Sequence, residues 1–252
     1  MTDNLIVGHG TSARQWSTSQ ELALVPVISA EMLVPVNARA VVIAPHPDDE
    51  VLGCGGLMVQ LAQLDRSLQL VSVTDGDASH PGSTAWTAAR LKHLRPRESA
   101  EALTRLGLVL EDLEWVRAGY GDGAVAARED DLTRYLEQRL RPTDVVFATW
   151  QRDGHPDHEA VGRATARAAL NVGARFYELP IWAWHWADPE DPRIPWHRAR
   201  KVLLDPSLIA RKQQAMQAFV SQRVGDPEIG LPPVLPDYVL ERLLRPFEVV
   251  FI

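Results

Sequence analysis

Between residues 40 and 179 the chain alternates short apolar runs with stretches of helical spacing, and this alternation constrains the fold more than any other feature. The apolar runs fall at 40–44, 68–73, 113–116, 145–149 and 176–179. Helical spacing fills 50–64, 88–106, 129–140 and 157–170, each opened or closed by Gly, Pro or Asp. Four βα repeats in succession predict an α/β fold, a Rossmann-like sandwich with a mostly parallel sheet and helices on both faces. In such a sheet the functional groups gather at the carboxyl ends of the strands. We place this domain at 38–252 and read 1–37, which shows no sustained period, as an N-terminal extension packed on it. Beyond residue 180 the pattern loosens into a Trp- and Pro-rich stretch, 182–196, which reads either as a lid over the site or as a covering loop. A helix over 206–222 and a last strand over 247–252 complete the expectation.

The first strand runs directly into His46-Pro47-Asp48-Asp49-Glu50. So many ionisable groups at the end of a buried strand are costly to desolvate unless they pair or ligate something. A turn there lets His46 and Asp49 converge while Asp48 points between them. The fourth strand ends in Asp153-Gly154-His155-Pro156-Asp157-His158, where one His can complete a metal set and the other can stand beside a substrate. His46, Asp49 and His158 then form the two-His, one-carboxylate donor set of a hydrolytic zinc site with an open position. Asp48 is the expected general base, and His155 either polarises an oxyanion or protonates a leaving nitrogen. Cys54 is the single cysteine, so neither an intramolecular disulfide nor a Cys-based zinc site is available.

Taken together, the two motifs resemble those of the PIG-L/LmbE-like zinc-dependent N-deacetylases, and the resemblance extends from about residue 40 to about residue 222. It implies a Rossmann-like fold and the removal of acetyl from N-acetylglucosamine conjugates. It also implies Zn2+ on His46, Asp49 and His158, with Asp48 as base and His155 beside the tetrahedral intermediate. Arg95-Pro96-Arg97-Glu98 is similar to the family's Arg-x-x-Glu helix, although Pro96 suggests that the helix starts there. Gly121-Asp122-Gly123 resembles its Pro-Asp-Gly loop, with Gly121 in place of Pro. Arg95 and Asp122 are therefore candidate substrate contacts. Phe219-Val220 precedes Ser221-Gln222 where the resemblance implies an aromatic or His, so a substrate-facing His is absent there and the substrate's identity does not carry over.

The expected partner is a small N-acetylated amino sugar. An excess of 33 acidic over 26 basic residues, net −7, argues against a nucleic-acid partner. No apolar run approaches the ~20 residues of a membrane span. The start, Met1-Thr2-Asp3-Asn4, lacks a signal-like pattern, so a cytoplasmic location is expected. Two other readings compete: a zinc amidase cleaving a larger amide, and a non-catalytic Rossmann-like module binding a nucleotide or sugar phosphate at Gly53-Cys54-Gly55-Gly56. His9, His80, His93, His185 and His197 have no ligand-like spacing and are read as surface or packing residues.

Overall fold

The computed structural model describes Asn4 and residues 6–252; Met1, Thr2 and Asp3, on which the reading of the N-terminus partly rests, lie outside the described residues. Three short helices lead in: α1 (Ala13–Trp16), α2 (Gln20–Leu24) and α3 (Ala30–Leu33). Each is too brief to hold itself, and each is capped by a serine, Ser12, Ser19 and Ser29, whose side chain accepts from the backbone of the first turn. There follow β1 (Ala40–Ala44), α4 (Asp49–Gln63), β2 (Leu68–Thr74), α5 (Ala88–Leu106), β3 (Leu113–Tyr120), α6 (Glu129–Glu137), β4 (Val145–Thr149), α7 (Pro156–Val172) and β5 (Arg175–Leu179). The last part holds α8 (Ala183–Trp186), β6 (Ala199–Leu203), α9 (Pro206–Met216), α10 (Val220–Arg223), α11 (Asp237–Leu243) and β7 (Phe247–Phe251).

Seven strands form one sheet in the order β3-β2-β1-β4-β5-β7-β6. The first five run parallel, and β7 is antiparallel to both of its neighbours. The apolar runs are continuous because both faces of the sheet are covered. Ala40, Val42 and Ala44 of β1 belong to the core beneath α4, α5 and α9, whereas Val41 and Ile43 belong to the core beneath α6 and α7. Between β1 and β4 the strand order reverses. The loops leaving these two strands diverge to opposite faces and open a crevice, the usual place for a ligand in such sheets.

The structure corrects three expectations. Strand β6 escapes the sequence pattern because Ala-Arg-Lys-Val-Leu carries no apolar run; it forms by pairing with β7, and Val27 bridges its outer edge at Lys201. The expected helix over 206–222 is two helices, interrupted where Phe219 turns inward and is fully buried. Helix α5 does not begin at Pro96 but passes through it. The hydrogen bond lost there belongs to the carbonyl of exposed Lys92, which water can serve.

Most of the 182–196 stretch is packing. Trp184 meets Trp16 edge to face at 4.9 Å, and Trp186 stacks on Trp150. The indole N–H groups of Trp184, Trp186 and Trp196 donate to the carbonyls of Pro180, Asp153 and Asp191. Trp182 alone of the four reaches the crevice. Among the described residues no helix is long and apolar enough to cross a membrane.

Candidate metal centre and active site

The turn after β1 carries backbone strain where the chemistry is expected. Asp48 has φ 139° and ψ −31°, a region that side chains rarely adopt. Surrounding bonds hold it there. Its N–H donates to Glu50 Oε2 at 3.0 Å, and Glu50 Oε1 in turn accepts from Ser99 at 2.7 Å. Its carboxylate pairs with Arg95 Nη2 at 2.9 Å, and Arg95 is fixed by the carbonyls of Gly76 and Pro47. Gly76 (φ 67°) is required at that spot, since a Cβ would meet the guanidinium at 2.1 Å.

Asp49 Oδ2 stands 3.2 Å from His46 Nδ1 and 3.2 Å from His158 Nε2. Tetrahedral zinc with arms near 2.1 Å separates adjacent ligand atoms by roughly 3.4 Å, so these edges fit one ion. His158 Nε2 is buried and has no hydrogen-bond partner, as a nitrogen reserved for a metal would be. The outer nitrogens are taken. His158 Nδ1 meets Asp153 Oδ2 at 2.9 Å, and His46 Nε2 lies 3.2 Å from both Asp122 Oδ1 and Asp157 Oδ2. A carboxylate on the far nitrogen is the usual support of a metal-binding imidazole. Two overlapping sets of three donors, His46, His155, His158 and His46, Asp122, Asp157, also converge within 4.8 Å. Asp122 also accepts the N–H of Ala78 and Asp157 those of Gly123 and Val125, as Asp49 Oδ2 accepts the N–H of His46.

Charge sorts the titrations. Burial pulls His46 down, but Asp122, Asp157 and Asp49 outweigh it and hold the imidazole well above its ordinary value. For His158 burial is likewise overcome, by Asp49 and Asp153, and the ring is held at about 9. Burial opposes ionisation of Asp49, yet the two histidines keep it far below the carboxylate range. Asp48 goes the other way: burial, only partly offset by Arg95, pushes it up to about 8. His155 is pushed down to about 3 by burial and by the neighbouring charges of His158 and His46. It forms the N-cap of α7, and its Nδ1 accepts from the N–H of Asp157 at 3.2 Å.

These groups border a pocket of about 360 Å3 with two unlike walls. His46, Asp48, Asp49, Asp122, His155 and His158 form the polar wall, with Arg95 behind Asp48; Ile6, Leu52, Trp182, Val234 and Leu235 form the apolar one. All the predicted site residues thus border one pocket. Arg95 and Asp122, read as substrate contacts, already serve protein partners, Asp48 and His46. Sequence reasoning missed the roles of Asp153 and Asp157, although both flank His155 in the motif. It missed the apolar wall as well, which comes from separated segments. The Gly53–Gly56 turn is no phosphate cradle, because Glu248 already accepts from the N–H groups of Gly56 and Leu57 at 2.8 Å each. Of the remaining histidines, His185 is held between the Val7 carbonyl and Arg242, a packing role.

Comparison with known proteins agrees with this geometry. The family described as PIG-L, GlcNAc-PI de-N-acetylase, matches residues 41–169, a segment that contains both histidine motifs. A 1D-myo-inositol 2-acetamido-2-deoxy-alpha-D-glucopyranoside deacetylase of Corynebacterium diphtheriae is 26% identical over 232 residues, covering 74% of this chain and 77% of that protein. A probable N-acetyl-alpha-D-glucosaminyl L-malate deacetylase of Bacillus anthracis is 28% identical over 197 residues, covering 74% and 82%. Among solved structures, a deacetylase of the teicoplanin biosynthetic pathway superposes with a TM-score of 0.60 at 22% identity, covering 85% of this chain and 97% of that one, which shows the shared fold.

Proposed function

The chain belongs to the PIG-L family of GlcNAc-PI de-N-acetylases, and from that premise we propose that it is a zinc-dependent hydrolase removing the N-acetyl group from an N-acetylglucosamine-type conjugate. The observation that supports the metal assignment is the place of Asp49 Oδ2, 3.2 Å from both His158 Nε2 and His46 Nδ1, with the outer nitrogen of each ring on a carboxylate. Zinc held by these three residues supplies a Lewis acid that polarises the amide carbonyl and acidifies a water molecule.

The chain's own residues do the rest. Asp48, buried on the polar wall of the pocket, takes the proton of the attacking water. His155 accepts the Asp157 N–H on Nδ1, so its neutral ring carries the proton on Nε2. With its proton on Nε2, the ring donates a hydrogen bond to the oxyanion. The leaving nitrogen then takes its proton from Asp48 as the C–N bond breaks, and the products are acetate and a free amine. Arg95 holds the Asp48 carboxylate in place throughout.

A pocket of about 360 Å3 has room for a sugar ring beside the amide. Ser79, Asp122 and Gln222 offer partners to hydroxyl groups, and the apolar wall would face the aglycone or a larger acyl group. That wall favours, as the second reading, a zinc amidase of bulkier amides. The test is elemental analysis of protein purified without added metal, joined to acetate release from a panel of N-acetylated amino sugar conjugates. About one zinc per chain, lost in His158→Ala together with acetate release, is the expected result. Bound zinc with release only of longer acids would favour the amidase, and absence of metal even after reconstitution would overturn the proposal.

A further inference from the structure

We propose that a small cavity between the end of α11 and β7 binds a halide ion, held by Arg242 and Arg245. The argument is one of charge. Lys212, Arg242, Arg245 and Glu248 all border this cavity of about 20 Å3, with Trp184 as a further wall. The single acid among the four is already committed: Glu248 accepts from Lys212 at 2.5 Å and from the N–H groups of Gly56 and Leu57. Lys212 also donates to the Leu52 carbonyl. This pair closes its own account and leaves two guanidinium groups over.

Neither has an acidic partner among the described residues. Arg242, 2% exposed, donates to His185 Nδ1 and to the His9 carbonyl, yet its Nε is shielded from water and bonded to nothing. Glu241, on the same turn, is exposed and makes no ion pair with it. Arg245 makes no hydrogen bond among the described residues, and its shielded Nη2 is likewise orphaned. Its guanidinium lies over the rings of Trp184, at 4.3 Å, and Trp16, at 5.5 Å. Burial, reinforced by Arg242, lowers its pKa to about 9. Indole faces attract a cation, but they supply no lone pair for a buried N–H. Water would satisfy the donors, but it would leave the buried charge of Arg242 and the half-buried charge of Arg245 without a counter-ion. The volume admits an occupant of about the size of one water molecule, which excludes sulfate and phosphate. A halide ion fits this volume and acetate, with four heavy atoms, does not; the site stands whether or not the reaction proposed above holds.

The experiment follows unfolding of the intact protein in chloride, acetate and gluconate series at constant ionic strength. An anion that binds the folded state raises Tm by about 3–5 °C for each tenfold increase beyond its dissociation constant. The expected result is such a rise in chloride, flat behaviour in acetate and gluconate, and loss of the rise in Arg245→Met, which keeps a long apolar stem over the indoles. A rise in chloride alone marks the halide site; an equal rise in acetate would overturn it. Should the variant not fold, bromide-soaked crystals of the native protein give a second readout, an anomalous peak within hydrogen-bond reach of Arg245 Nη2. Equal Tm in all three salts without a bromide peak would overturn the proposal, and so would a chloride effect that persists undiminished in Arg245→Met.

Discussion

Asp153→Asn replaces one oxygen by an amide at the point where four donors meet. Asp153 Oδ1 accepts from the N–H groups of Ile181 and Ala183, at 2.9 and 3.0 Å, and Oδ2 from Trp182 N and His158 Nδ1, both at 2.9 Å. An asparagine must turn its NH2 toward one of these pairs. Facing Ile181 and Ala183, it leaves two buried backbone donors without an acceptor, at about 1–3 kcal/mol each. Facing Trp182 and His158, it strands one backbone donor and offers His158 Nδ1 a proton, which moves the ring's own proton to Nε2, the atom needed for metal. The second orientation strands fewer donors and is the one we expect. Removing the outer partner of a metal-bound His typically weakens metal affinity 10- to 100-fold. The expected outcome is therefore a loss of that size in zinc competition against a chromogenic chelator, with a Tm lowered by about 2–12 °C in the metal-free protein. Zinc affinity within twofold of native, together with a lowered Tm, would show that Asp153 braces the 181–183 backbone and does not orient His158.

Other outcomes follow from the same geometry. Asp48→Asn should keep its zinc and lose about 10²- to 10⁴-fold in turnover, measured as acetate release. His155→Ala should also keep its zinc, with kcat lowered about 10²- to 10³-fold and little change in KM, because the bond to the oxyanion strengthens only in the transition state. Zinc affinity should rise with pH up to about 9, since the metal displaces protons from His158 and His46, both raised above their ordinary values in the metal-free protein. Each proton displaced contributes one decade of affinity per pH unit, and calorimetry in buffers of different ionisation enthalpy counts them. Glu248→Gln should destabilise the fold by about 3–5 kcal/mol in denaturant titrations, because it leaves Lys212 buried without a counter-charge.

What could be read from the sequence was local. His46 through Glu50 leave a buried strand within a few residues, and His155 opens a helix with Pro156 in its first turn, so spacing and secondary structure together delimit the site. The five parallel strands were legible for the same reason: each is an apolar run bounded by turn residues. What failed depended on distant partners. Strand β6 exists because β7 pairs with it, and β7 lies more than forty residues downstream. Asp153 gains its role from backbone 28 to 30 residues away. The apolar wall joins Leu52, inside the family-matched segment, with Ile6, Trp182, Val234 and Leu235 outside it, while the proposed metal donors all lie inside. The proposed metal donors have a compact signature in the sequence, and the apolar wall, assembled from separated segments, has none.

The strain at Asp48 ties stability to catalysis, and the link can be measured. A residue at φ 139° costs about 1–3 kcal/mol unless it is glycine, so Asp48→Gly relieves strain that the native chain carries. The same change removes the counter-charge of Arg95, 3% exposed, and an abandoned buried cation costs about 3–5 kcal/mol. The electrostatic loss exceeds the backbone gain, so Asp48→Gly alone should lower stability. Adding Arg95→Met removes the stranded charge while keeping most of the side-chain volume, and the double variant should be more stable than the single one, with the relieved backbone now visible. Denaturant midpoints of the metal-free proteins decide it. A single variant as stable as the native chain or more so would mean that Arg95 does not depend on Asp48. Catalysis would then have to explain by some other route why the protein keeps an aspartate where glycine fits better.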